Sequence, residues 1–164
     1  MNKQLNGKTY LQKVQNIAYL CLAPPLLIFI YLYLESSVDR LNEIIPSSYH
    51  VTVFISIFII CLALIFWSIK KFRFIIGEAI PSKDFKKKLS LYQRASNTRF
   101  FIYGTSALLT TLGFYLTDFQ PFAGLFGILI VLFSLYNPSA RKIVNDLKLK
   151  KNEKEIILKG LDLP

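Results

Sequence analysis

Within four long stretches of this 164-residue chain there is no Asp, Glu, Lys, Arg or His. Histidine, methionine and tryptophan occur once each in the whole sequence, and cysteine twice. Each scarcity excludes something. A single histidine, His50, cannot provide bis-histidine haem ligation, and a metal site built on it would need several loop carboxylates. Cys21 and Cys61 lie in separate apolar stretches without C-x-x-C spacing, so they read as small buried hydrophobes rather than a redox pair. There is no glycine-rich phosphate loop. Enzymes that work inside a membrane need ionisable groups or activated nucleophiles near the reacting bond. Proton-coupled exporters keep an intramembrane carboxylate. The four stretches offer only hydroxyls and isolated thiols, so no catalytic residue, cofactor or metal ligand is assigned. Glu35, Asp39, Glu43, His50 and Asp118, all on one expected side, are the remaining place for an interfacial active site.

What the chain has in abundance is apolar length. Hydrophobic residues make up 53% of it, and the mean hydropathy is +0.42. The uncharged stretches are Ile17–Leu34, Val51–Ile69, Phe100–Thr117 and Phe119–Tyr136. Each is close to the ~20 apolar residues that a bilayer core requires of a helix. The expected fold is therefore all-α: an integral membrane protein forming a single membrane domain of four transmembrane helices. Lys3, Lys8 and Lys13 precede the first stretch, but it is too long for a signal h-region and lacks a small-x-small cleavage site, so it reads as a retained helix.

Orientation follows from charge, because basic segments resist translocation. Three basic residues precede the first stretch and one, Arg40, follows it. Nine fall in the segment 70–99, none in the third turn and seven in the tail 137–164. With both termini cytoplasmic, 19 of the 20 basic residues are inside. The formal charge of +10 then points to the anionic cytoplasmic leaflet of an inner (plasma) membrane rather than to nucleic acid.

The segments between the spans carry further expectations. Phe74–Ile80 is apolar enough to dip into the interface, and Ser82 offers a helix N-cap with Asp84 in the first turn. Phe85, Leu89 and Tyr92 then recur at helical spacing among Lys83, Lys86, Lys87, Lys88 and Arg94. This is the pattern of a basic amphipathic helix lying on the membrane surface in the central cytoplasmic loop. Trp67 reads as an interfacial anchor. In the tail, Ser139 suits an N-cap, and Ile143, Leu147 and Ile156–Leu158 suggest short amphipathic helices broken near Lys150–Asn152. On the outer side, Glu35, Asp39 and Glu43 share one helical face, read as a solvated acidic stripe.

Packing inside the bilayer is expected to rest on small residues. Pro24 and Pro25 remove the donors for the carbonyls of Leu20 and Cys21. Thr105 and Ser106, at matching depth on the third helix, are expected to face those carbonyls. Ser106, Thr110, Gly113 and Thr117 form one small-residue face of that helix, and Gly104, Ala107 and Thr111 another. Ala123 and Gly127 give a small-xxx-small contact on the fourth helix. The leading functional expectation is a non-enzymatic accessory or scaffolding subunit that contacts the bilayer, anionic lipids and other membrane subunits or copies of itself. The alternatives are an oligomeric channel or transporter lined by Ser106, Thr110 and Thr117, and a lipid-responsive membrane-shaping protein acting through Lys83–Arg94.

Overall fold

The computed structural model describes residues 6–38 and 44–161. The expectations for Lys3, Asp39, Arg40 and Glu43 lie outside the described residues. Among the described residues all regular elements are helical: α1 (Gly7–Ser37), α2 (His50–Ala79), α3 (Phe85–Thr117), α4 (Pro121–Tyr136), α5 (Ala140–Asp146) and α6 (Lys151–Lys159), with a 3-10 turn at Ser47–Tyr49. α1, α2 and α3 are long and apolar enough to cross a membrane. α4 and α5 together, bent by 76° at their junction, make a fourth candidate. Wide exposed faces of α1 and α2, with Leu20, Leu27, Ile59 and Phe66 among them, would be unstable against water and suit lipid.

The helices outrun the apolar stretches that nucleate them. α2 has 30 residues and α3 has 33. At about 1.5 Å per residue they reach ~45 and ~50 Å, against a hydrocarbon core of ~30 Å. The surplus lies at one end of the molecule, where the lysines and arginines are concentrated; we call it the basic end. The segment 74–80 is the last turns of α2, with Ile75, Ile76 and Ala79 buried, rather than a loop dipping into lipid. The segment that was expected to lie separately on the membrane is the first part of α3. The physical reason is local. Phe72, Ile75, Ile76 and Ala79 of α2 meet Phe85, Leu89 and Tyr92 of α3 in one apolar cluster, to which α5 and α6 add Ile143, Leu147 and Ile157. The start of α3 is capped by Asp84, whose carboxylate accepts from the Lys86 N–H at 2.9 Å, so it begins two residues beyond a helix capped at Ser82.

α3 is the central helix, in contact with α1, α2 and α4. It ends at Asp118, which adopts a left-handed conformation (φ 48°). Phe119 and Gln120 make the turn, and Pro121 occupies the first turn of α4, where its missing N–H costs nothing. At the far end His50 begins α2, its Nε2 2.7 Å from the Ile45 carbonyl. In the tail, Ser139 caps α5. The Leu161 carbonyl accepts from the Gly7 N–H at 2.9 Å, so both ends of the described chain sit together at the basic end.

Candidate functional site

Position 99 is the last before the apolar part of α3 and falls on its inward face. Phe85, Leu89, Tyr92, Ser96, Arg99 and Tyr103, spaced alternately by four and three, are all buried, so the stripe that packs the helix runs straight through an arginine. Arg99 is 8% exposed. Its guanidinium carbon lies 3.3 Å from the ring centroid of Phe72 on α2 and 4.6 Å from that of Tyr136 at the end of α4. These are close cation–π contacts. Its Nε is buried without a hydrogen-bond partner. The ion pairs among the described residues, Lys88–Glu153 and Lys159–Glu155, do not include it.

Arg99 lines a cavity of about 410 Å³ at the basic end. Phe72, Arg73 and Ile76 of α2, Tyr92 of α3, Tyr136 of α4, and Lys142 and Asp146 of α5 complete most of the wall. Burial lowers the Arg99 guanidinium from its ordinary value, while the surrounding tyrosines and Asp146 oppose the shift. A guanidinium remains charged through such a shift. Burial also pushes the Asp146 carboxyl up, against the pull of Arg99 and Lys142. The Tyr92 phenol is raised by burial and by Asp146, whose carboxylate accepts its hydrogen bond, so it is neutral. Lys142 donates to the carbonyls of Leu135 and Asn137, which pins the α4–α5 bend and places its ammonium against the free carbonyls of α4. The chamber therefore holds three cationic side chains against one carboxylate.

The helical cluster around this cavity is held by directed contacts. Lys88 is 5% exposed and places its ammonium 3.1 Å from both carboxylate oxygens of Glu153. Glu153 also accepts from the Lys150 N–H at 3.1 Å. The Tyr10 hydroxyl donates to the Leu89 carbonyl at 2.7 Å.

The expected membrane-surface residues divide by face. Lys83, Lys86, Lys87 and Arg94 are exposed, whereas Phe85, Lys88, Leu89 and Tyr92 are turned inward and covered. A stripe that reads as a lipid-facing seam is here a helix-facing one. The expected packing residues also separate. A Cβ on Gly104 would lie 2.9 Å from the Cys21 carbonyl oxygen, one of the two that the prolines release. The hydroxyls do not perform that role. Thr105 is exposed and donates to Phe101, and Ser106 is buried and donates to Ile102, both on their own helix. Thr110, Thr111 and Thr117 do the same, as hydroxyls four residues on from a carbonyl commonly do. Pro25 is buried and Pro24 exposed. Gly113 faces Phe122 and Ile57 within the chain, whereas Gly127 faces open space and Ala123 packs at the edge of the inner core.

Among the described residues no group of three or more His, Cys, Asp or Glu side chains could hold a metal. Arg99 is the residue that sequence reasoning missed, counted there only as one more charge in the 70–99 segment. The signal was available in its register with Tyr92 and Tyr103. Comparison with protein-family models, with curated proteins and with solved structures finds no match to the chain.

Proposed function

We propose that the chain is a non-enzymatic membrane protein of four spans with both termini cytoplasmic, serving as an accessory or scaffolding subunit in a larger membrane assembly. The two ends of the described chain, at Gly7 and Leu161, lie together, which supports an even number of crossings and hence counting α4 as a span. The observation that carries the subunit reading is on α4. Gly124 and Gly127 meet nothing within 4 Å, unlike Gly104 and Gly113, which are filled by this chain's own atoms. Beside them runs an open apolar groove between α1 and α4, lined by Leu26, Ile30, Ala123 and Gly127. Small residues on a lipid-facing helix next to such a groove suit the close approach of another helix.

The channel reading has less support, because Ser106, Thr110 and Thr117 are buried between helices of one chain and their hydroxyls are spent on its carbonyls. A membrane-surface role for the basic end keeps support from the exposed Lys83, Lys86, Lys87 and Arg94, at about 1 kcal/mol per basic residue near an anionic leaflet.

The test is co-purification in gentle detergent with mass spectrometry of what accompanies the tagged chain. Stoichiometric membrane partners are expected, and Gly127→Leu should release them while leaving the chain folded, since its new side chain enters open space. A uniform particle of this chain alone, unchanged by Gly127→Leu, would overturn the reading.

A further inference from the structure

Among the described residues no carboxylate forms an ion pair with the Arg99 guanidinium, although Asp146 in the same cavity attracts it, and a buried charge left without close pairing is costly. Removing a charge from water carries a large penalty even after relaxation, and proteins offset this by pairing it. Arg99 is nine-tenths buried, its Nε has no partner, and the stacked rings of Phe72 and Tyr136 cannot accept its N–H bonds as a carboxylate would. Packed against two rings, it has only the in-plane N–H groups left to offer. These are the donors that bind the oxygens of a carboxylate or phosphate in pairs. The cavity they line brings further cations, Arg73 and Lys142. Its volume of about 410 Å³ is within the range of small-ligand sites.

The position of the cavity along the bundle selects the source of the anion. Its wall includes Ile69 and Leu135, the last apolar residues of α2 and α4 before the basic end. At the same level Trp67 is exposed with the Lys71 ammonium 4.7 Å over its ring, and Lys70 lies likewise over Phe66. Tryptophan and snorkelling lysines mark the headgroup region of a bilayer. An anion entering here from the membrane would keep its acyl chains along the exposed apolar faces of α2 and α4. We propose that the Arg99 cavity is a binding site for the phosphate of an anionic lipid headgroup in the inner leaflet, with Arg99 as the principal anchor and Arg73 and Lys142 as supporting cations. Asp146 limits the site's affinity, because its carboxylate opposes the incoming charge.

The experiment uses the full chain in mild detergent, titrated separately with phosphatidylglycerol, phosphatidylcholine and inorganic phosphate. Native mass spectrometry counts retained lipid, and thermal unfolding reports stabilisation. Phosphatidylglycerol should be retained about tenfold or more tightly than phosphatidylcholine, because the choline cation beside the phosphatidylcholine phosphate is repelled by Arg73, Arg99 and Lys142. Arg99→Met should abolish that preference while leaving the lipid-free chain as stable as the parent or more so, since an apolar residue of similar length removes a buried charge. Arg73→Gln, at an exposed position, should weaken retention with little effect on folding, and Asp146→Asn should strengthen it. Equal retention of both lipids, or a preference for phosphatidylglycerol that survives both Arg99→Met and Arg73→Gln, would overturn the proposal. An Arg99-dependent response to inorganic phosphate without one to lipid would overturn the lipid assignment.

Discussion

Position 104 shows how one missing side chain settles a helix crossing. Pro25 takes away the donor that the Cys21 carbonyl would have had, and that carbonyl then lies where a Cβ at 104 would be 2.9 Å away. The obstacle is backbone on a packed helix, which cannot swing aside. Gly104→Ala is therefore expected to destabilise the chain by about 1–3 kcal/mol, the usual cost of overpacking. Gly127→Ala, with nothing within 4 Å, should leave the fold unchanged. Unfolding of the two variants in mixed micelles checks the contrast, and equal midpoints would contradict the close approach. Gly113→Leu belongs with the first of these. Its side chain would meet Phe122 and Ile57 of the same chain, so its effect falls on folding before any assembly.

At the scale of elements, the basic end is a packed helical cluster joined to the long apolar helices. α6 is held there by the Lys88–Glu153 pair and by the junction of Gly7 with Leu161. Glu153→Gln would leave the Lys88 ammonium covered and without its counter-charge. Breaking such a pair from one side costs about 3–5 kcal/mol when fully buried. Because the Glu153 side chain is 17% exposed, the expected loss is smaller, about 2 kcal/mol after allowing for screening. It should appear as faster amide exchange across 150–161 with little change in α4. Exchange rates unaltered by Glu153→Gln would mean that the apolar contacts of Leu147 and Ile157 and the Gly7–Leu161 junction hold the tail without the ion pair.

The same region explains what the sequence could and could not convey. Uncharged runs such as Val51–Ile69 announce apolar helices because nothing else tolerates that composition. The amphipathic stripe Phe85–Leu89–Tyr92 specifies a helix and an apolar face, but not whether that face meets lipid or other helices. Its complement, Ile75, Ile76 and Ala79, lies close by in sequence, yet reads as a loop until α2 is known to continue through Lys70 and Lys71. Arg99 was obscured for a related reason. Charge counting treats it like Arg94, although five residues turn one side chain outward and the other into the core.

For the whole molecule, the asymmetry of charge and the meeting of the two ends of the described chain bear on one another. With 19 of the 20 basic residues expected on one side, translocating the basic end would carry the whole 70–99 segment and both tails across the membrane. The contact between Gly7 and Leu161 places the two ends of the described chain together at one end of the helices. Two exposed serines at opposite ends make this measurable. Ser47 lies in the turn before α2, and Ser90 lies on α3 beyond the apolar stretch. Cys21 and Cys61 both lie within apolar spans, and Cys61 is fully buried, so neither is expected to react with a membrane-impermeant thiol reagent. In intact cells Ser47→Cys should be modified and Ser90→Cys protected, with Ser90→Cys becoming reactive once the membrane is permeabilised. The reverse pattern would invert the orientation and move the Arg99 cavity to the outer leaflet. Modification of both in intact cells would mean that α2 and α3 do not separate the two ends by a bilayer, and the membrane reading would fail with them.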